Sequence, residues 1–216
     1  MRRKTLEALL AGEFICSIAY PLEYEDLQDE QVREAVSRWL EPLERRLARV
    51  NDNGAFYMAP DLIGTDEVRQ VREEMRAYRD IYAPAFMALD LIRQADPDSG
   101  ALEPGEYVQA SRLETSLGTN PVLEMQLNSL AGSVRRFVMK NSMRDRIDAV
   151  LDHLTAEGFL VQVEKDRANY RFTGRIEHLW AVAEFIEQHE PIAKEADTKS
   201  GQDDLLDDGD LGEPTP

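Results

Sequence analysis

The sequence predicts a mainly α-helical protein with short β-hairpins, an α+β fold, followed by a disordered acidic tail. Three observations support this prediction. Apolar residues recur every three or four positions over most of the chain, two pairs of short β-prone runs flank turn residues, and the order of elements in the first half returns in the second. With 216 residues, 43% of them hydrophobic, the chain is long enough for one large domain or two small ones.

The first half predicts two helices and a hairpin. Apolar spacing indicates one helix over 5–20, which we expect Pro21 to end, and a second over about 29–44. Two short β-prone runs then flank the pair Asn53-Gly54, and Asn and Gly adopt the positive φ of a tight turn at the least cost. A hairpin is therefore predicted around this pair.

A long helical stretch over 66–94 follows, in which we expect Pro84 to kink or restart the helix. A short strand is predicted within 102–109, and two short helices over about 110–117 and 121–131. These elements lead from the first hairpin to the second repeat of the pattern.

The second repeat begins with a helix whose apolar face runs from 143 to 154. Gly158 ends this helix at a position that favours a left-handed residue. Two β-prone runs, 159–163 and 169–173, form the second hairpin, and a further helix follows over 176–186. A helix that leads directly into a two-stranded hairpin is typical of a winged helix, so the sequence predicts tandem winged-helix domains.

The predicted organisation has four parts: a first winged-helix domain over 1–64, a linking helix over 65–84, a second domain over 85–190 and a tail over 191–216. The tail has eight acids and two bases, so it carries −6 of the net charge of −17. Like charges and few apolar residues predict that it is disordered. An acidity of this size argues against a protein whose whole surface binds nucleic acid or anionic membrane.

The chain lacks the motifs of common enzymes and metal sites: there is no phosphate-binding loop, no nucleophile elbow, no His-Glu-x-x-His and no Cys-x-x-Cys. We therefore expect no catalysis and no cofactor. Cys16 is expected to be a small core residue, and His153 and His178 to be partly buried, hydrogen-bonded rings. A single cysteine and the absence of a long apolar run predict a cytoplasmic protein without a membrane span.

One basic stretch interrupts the acidic sequence. From Val134 to Arg146 there are five bases and one acid, and further bases lie around the second hairpin. The predicted DNA contacts are Arg135, Arg136, Lys140, Arg144, Arg146, Lys165, Arg167 and Arg171. An alternative stays open, in which these side chains cover apolar surface and pair with nearby acids.

The first half also mixes bases with acids. Arg33 and Arg38 alternate with glutamates on the second predicted helix, which is typical of a solvated, self-paired face and also of a protein-docking surface. Trp39 and the Phe56–Met58 run are either core residues or exposed anchors of an interface.

Two stretches resemble the MksE and MukE subunits of bacterial condensins, which are kleisin-interacting tandem winged-helix proteins. They read LEALLAGEFICSIAYPLEYEDL near the start and VLDHLTAEGFLVQVEKDRANYRFTGRIEHLWAVAEFI in the second half. The resemblance covers about residues 1–190, and the acidic tail agrees with it.

The resemblance implies a non-catalytic homodimer that binds a kleisin of the MksF or MukF kind. Through the kleisin it would act with an SMC-like ATPase of the MksB or MukB kind, near the nucleoid, in chromosome organisation, segregation or plasmid defence. DNA contact would be weak and non-specific, and kleisin-contacting residues stay unassigned. The alternative is a dimeric winged-helix transcriptional regulator. The helix before the second hairpin has only Arg146 as a base over 145–155, which weighs against that alternative.

Overall fold

The computed structural model describes residues 2–61, 82–96, 102–133, 142–164 and 168–184. The described residues form helices and short antiparallel strands, so the predicted fold class is confirmed. The chain divides into two compact units, Met1–His178 and Leu179–Pro216. Most of the predicted linking helix and the whole predicted tail lie outside the described residues. Within them, no helix has the length and apolarity needed to cross a membrane.

The first half, residues 2–61, contains three helices and one hairpin. Its elements are α1 (Arg3–Leu10), α2 (Pro21–Asp26), α3 (Glu30–Leu40), β1 (Arg45–Arg49) and β2 (Phe56–Pro60). Strands β1 and β2 pair antiparallel, and Ile15 forms an isolated antiparallel bridge with Phe56 through two backbone hydrogen bonds of 2.8 and 2.9 Å.

The predicted helix over 5–20 is wrong. Helix α1 ends at Leu10, and Gly12 at φ 77° turns the chain out of the helix. Ile15 then lies beside β2, where successive side chains point to opposite faces of a strand. Pro21 begins α2 instead of ending a helix, because proline lacks only an N–H that the first helical turn does not use.

Helix α3 has the features that its amphipathic sequence predicts. The Asp29 side chain caps it by accepting from the backbone N–H of Gln31 at 2.8 Å. Val36 and Leu40 are buried in the core of the first half. The helix ends in a 3₁₀ turn over Glu41–Leu43 that leads into β1.

The first hairpin is confirmed, but its turn is longer than predicted. β1 ends at Arg49 and β2 begins at Phe56, so six residues connect the strands. Asn51 has the positive φ, 54°, while Gly54 does not. Gly54 is required for a different reason: there is no room for a side chain, because a Cβ there would overlap the Val50 carbonyl.

The second half, residues 82–178 of the same compact unit, contains a three-stranded antiparallel sheet in the order β3–β5–β4. Its strands are β3 (Tyr107–Gln109), β4 (Leu160–Glu164) and β5 (Asn169–Phe172). The helices are α4 over 82–95, α5 (Ala110–Thr119), α6 (Pro121–Ser133) and α7 (Met143–Ala156), and α8 follows over 175–184. These helices and strands confirm the predicted pattern, including Gly158 at φ 74° after α7.

The two halves share an order of elements: a helix, a residue or short strand that pairs with the hairpin, two helices, and the hairpin itself. We call the second of these elements the strand position. In the first half the strand position is Ile15 beside β2, and in the second half it is β3 beside β5. Helix α2 corresponds to α5, and α3 to α7, since each of the latter precedes a hairpin. Helix α6 is therefore additional to the pattern of the first half.

The two halves are in close contact at Gly174. A Cβ at this position would lie 2.8 Å from the Ala55 Cβ and 2.9 Å from the Cys16 Cβ. The Gly174 N–H donates to the Cys16 Sγ at 3.3 Å, and Cys16 is 4% exposed, so its predicted role as a core residue is confirmed. Only a glycine allows this approach of the backbone after β5 to the first half.

Aromatic side chains extend this contact. The His178 ring lies 4.9 Å from the rings of both Phe14 and Tyr57, and its Nδ1 is 3.0 Å from the Tyr82 hydroxyl. Burial, with the charge of Arg175, lowers the pKa of His178 to about 4. His178 is thus the partly buried, hydrogen-bonded ring that the sequence predicts, and it is neutral at pH 7.

Arg175 joins the halves at a third point. Its guanidinium carbon lies 5.2 Å from the ring centroids of both Phe14 and Phe159. Phe14 belongs to the first half and Phe159 to the second. We call the contacts of Gly174, Arg175 and His178 with the first half the inter-half contact.

We expect Gly174→Ala to destabilise the protein by about 1–3 kcal/mol, because two Cβ atoms fixed to the backbone must move apart. Gly118→Ala is the matched control: it lies in α5, where a new Cβ would meet only the Met143 Sδ at 3.9 Å. Alanine there should stabilise the helix by about 0.5–1 kcal/mol. Urea unfolding measures both changes. Equal stabilisation by the two substitutions would show that the inter-half contact has room for a side chain.

Candidate interaction surfaces

Three of the eight predicted DNA-contacting residues are in the described part of the chain. Arg144 and Arg146 lie on α7, and Arg171 lies on β5. The other five, Arg135, Arg136, Lys140, Lys165 and Arg167, lie outside the described residues. The structure therefore gives the surroundings of the first three only.

Arg144 pairs with two carboxylates. Its guanidinium is 3.0 Å from Asp148 on the next turn of α7 and 3.4 Å from Glu114 on α5. Burial lowers the pKa of Arg144, but the hydrogen bonds and charges of Asp148 and Glu114 outweigh it and raise that pKa. Arg144 therefore links α7 to α5.

Arg146 is the more buried of the two, with 19% of its side chain exposed. It lies 3.5 Å from Glu124 on α6 and also donates to the Asn128 side chain and to the Ser142 carbonyl. Arg146 thus holds α6 against the first turn of α7.

Arg171 contacts uncharged partners. Its Nε donates to the Gly105 carbonyl at 2.9 Å, and its guanidinium carbon is 5.1 Å from the centroid of the exposed Tyr107 ring. All three described members of the predicted set therefore contact protein groups. Their role in DNA binding stays a prediction.

Helix α7 occupies the position before the hairpin and has a net charge of −1, from two arginines and the acids Asp145, Asp148 and Asp152. Burial, together with the charges of Asp152 and Asp148, raises the pKa of Tyr170 on β5. Since the major groove is lined by the phosphates of two strands, an acidic helix is poorly suited to enter it.

The first half contains a set of arginines with a different environment. Each donates to a backbone carbonyl or lies on the surface, and within the described residues none is within 4.0 Å of a carboxylate; they are Arg33, Arg38, Arg45, Arg46 and Arg49. Arg33 and Arg38 line an open depression on α3 together with Glu30 and Glu34. Among the described residues, the ion pairs of a self-paired face are not formed on α3, and a docking surface there stays a prediction.

Exposed apolar residues lie at the end of the same helix. Trp39 is 38% exposed and Leu43, four residues later, is 47% exposed. Phe56 is instead fully buried, and Tyr57 and Met58 are partly buried against the core. Of the candidate anchors in the first half, Trp39 is on the surface and the Phe56–Met58 run is in the core.

Among the described residues, no group of three His, Cys, Asp or Glu side chains has the geometry to hold a metal ion. The Cys16 thiol is buried against Gly174, and the His178 ring is enclosed by aromatic side chains. The features that distinguish the described surface are therefore its charges and its exposed apolar residues.

Comparison with known proteins places the chain in a family. The model of the condensin complex protein MksE matches residues 3–184, which include all but the first of the described residues. A search of curated proteins gave no match. The matched range runs from α1 to the end of α8 and covers both halves with the inter-half contact, so the chain belongs to the MksE family of condensin complex proteins.

Proposed function

We propose that the protein is a non-catalytic subunit of a bacterial SMC–kleisin complex, in which it forms a homodimer and binds an MksF- or MukF-like kleisin. The observation that carries the proposal is the MksE family match over 3–184. ATP hydrolysis belongs, in this proposal, to an MksB- or MukB-like ATPase that the kleisin connects to this subunit. The complex acts in the cytoplasm at the nucleoid, in chromosome organisation, segregation or plasmid defence.

Each half is a winged helix in this proposal. Support comes from the shared order of helix, strand position, two helices and hairpin, and from the pairing of the strand position with the second strand of each hairpin. The predicted domain boundaries, with a linking helix over 65–84, are part of the proposal. In the folded chain the two halves are joined by the inter-half contact as well as by sequence.

DNA contact is auxiliary in this proposal. The basic residues Arg135, Arg136 and Lys140, with Lys165, Arg167 and Arg171 of the second hairpin, approach phosphates when the kleisin and ATPase hold DNA nearby. The net charge of −17 makes the isolated subunit a weak binder, with a Kd no lower than the roughly 10⁻⁴–10⁻⁶ M of non-specific contacts. A sequence-specific regulator is disfavoured because α7 is acidic.

A pull-down from the native host tests the proposal directly. The tagged subunit should co-purify with a kleisin-like protein and a very long coiled-coil ATPase, identified by mass spectrometry. An unrelated tagged protein with a net charge near −17 is the control for ionic capture. Isolation of the subunit as a lone dimer, under the same low-salt conditions, would contradict membership in an SMC–kleisin complex.

Charge reversal tests the DNA contact. In the assembled complex, the triple variant Arg135→Glu/Arg136→Glu/Lys140→Glu should weaken DNA binding and reduce the salt slope of log K by about 2–3, because up to three phosphate contacts are lost. The control Arg3→Glu/Arg46→Glu/Arg93→Glu makes the same charge change at exposed arginines of α1, β1 and α4. Fluorescence anisotropy at several salt concentrations measures both. An equal loss of DNA affinity in the two variants would mean that the effect comes from net charge and not from the basic stretch.

A further inference from the structure

The segment from Thr115 to Ser133 is nearly free of charge. Its nineteen residues contain one charged side chain, Glu124. The chain average of 31% charged residues would place about six in a segment of this length. The segment forms the end of α5 and the whole of α6, so the deviation belongs to one pair of packed helices.

The single charge of this segment is neutralised within the protein. Glu124 pairs with Arg146 of α7 at 3.5 Å. Within this segment, the outward-facing side chains whose exposure the structure describes are uncharged, and they are Thr115, Thr119, Asn120, Pro121, Val122, Met125, Asn128 and Ser129. We call this set the neutral face.

Helix α6 is apolar on two sides. Leu123, Leu127 and Leu130 are buried and form its inner side. On its outer side Val122 is 57% exposed and Met125 is 65% exposed, the highest values among the exposed large apolar residues of the described chain. A surface helix normally has a polar outer side, and a helix that is apolar all round is normally covered on both sides.

The acidity of the protein indicates what covers this face. Two copies that each carry −17 repel one another wherever acidic surfaces meet. A two-fold contact places the same patch of both copies face to face, so any unpaired charge in the patch lies close to the like charge on the other copy. A partner of opposite charge would instead be attracted to the acidic surface. A neutral apolar face on a strongly acidic protein is therefore suited to a second copy of the same chain.

We propose that the neutral face is the homodimer interface, with α6 of one copy packed against α6 of the other across a two-fold axis. The flexible Met125 side chain suits such a contact, because methionine adapts to fill irregular gaps. A stable interface buries about 800 Å² on each copy, which is more than one helix of thirteen residues presents, so the exposed Thr115 and Thr119 side chains at the end of α5 contribute as well. This inference rests on the homodimer of the proposed function and assigns it a surface.

Helix α6 has no counterpart in the first half. The first half reaches its hairpin with α2 and α3, whereas the second half places α6 between α5 and α7. The winged-helix pattern is complete without α6, and its buried leucines add to a core that α5 and α7 already enclose. In this inference α6 carries the surface for self-association, and this explains why only one half has such a helix.

Cross-linking tests the geometry. The one native cysteine, Cys16, is buried, so Met125→Cys creates a protein with a single accessible thiol. Treatment with a short bismaleimide should convert most of this variant to a covalent dimer. Leu22→Cys is the matched control, because Leu22 is 54% exposed on α2. Equal cross-linking of the two variants, or none in Met125→Cys while the protein is dimeric, would overturn the proposal.

Charge insertion tests the energetics. The variant Val122→Glu/Met125→Glu should raise the dimer Kd by about 100-fold or more in sedimentation equilibrium, with an unchanged circular dichroism spectrum. Leu10→Glu/Leu22→Glu makes the same charge change at equally exposed apolar residues and should leave the Kd nearly unchanged. A wild-type protein that is monomeric at about 100 µM would overturn the proposal. If the Val122→Glu/Met125→Glu variant does not fold, the cross-linking experiment decides whether the neutral face is the dimer interface.

The kleisin pull-down separates this inference from the proposed function. If the Val122→Glu/Met125→Glu variant becomes monomeric, the neutral face is supported as the dimer interface, whether or not the variant still binds the kleisin. A variant that stays dimeric but loses the kleisin would make the neutral face a kleisin-docking surface, which overturns the inference and leaves the proposed function intact. Failure of the wild-type protein to capture a kleisin would contradict the proposed function and leave the dimer measurement unaffected.

Discussion

The approach of Gly174 to Cys16 and Ala55 is the constraint on which the rest of the structure depends. A glycine at this position lets the backbone after the second hairpin lie directly against the first half. Helix α8 begins one residue later, so the same approach brings Arg175 and His178 to the aromatic rings of the first half. A domain of about 60 residues is marginally stable alone, and the inter-half contact allows two small cores to support each other.

This constraint has a consequence for the proposed function. Two winged helices joined by a flexible linker would present their surfaces in variable orientations, whereas halves that share a buried contact present them in a fixed one. A subunit that must contact a kleisin, a second copy and DNA at once benefits from a fixed arrangement, because the entropy of ordering these surfaces is lost on folding and not on binding. In the proposed function, the acidic surface would limit DNA binding by the free subunit, and assembly with partners would control when DNA is contacted.

Local patterns were sufficient to predict much of the fold. Both hairpins, helix α7 and the left-handed Gly158 follow from apolar periodicity and turn residues. The helix predicted over 5–20 is wrong because its apolar residues fit a period of three or four by chance, while Gly12 and the pairing of Ile15 with β2 decide the structure.

The surfaces were harder to predict from sequence, because they depend on residues distant in the chain. The contact of Gly174 with Cys16 joins positions 158 residues apart, and no local pattern indicates it. The acids that pair with Arg144 include Glu114 on another helix, so a count of bases along the sequence could not show that this guanidinium is already occupied. The neutral face, by contrast, is visible in the sequence as a segment with one charge, and only its exposure required the structure.

Native-state hydrogen exchange tests most directly the claim that the two halves unfold together. The Ile15 amide, bonded to the Phe56 carbonyl at 2.8 Å, reports on the first half, and the Thr173 amide, bonded to the Phe159 carbonyl at 2.9 Å, reports on the second. If the two halves unfold together, these two amides have equal opening free energies, with equal dependence on urea concentration. A lower opening free energy and a smaller urea dependence for one of the two amides would show that its half opens alone, and would contradict joint unfolding of the two halves.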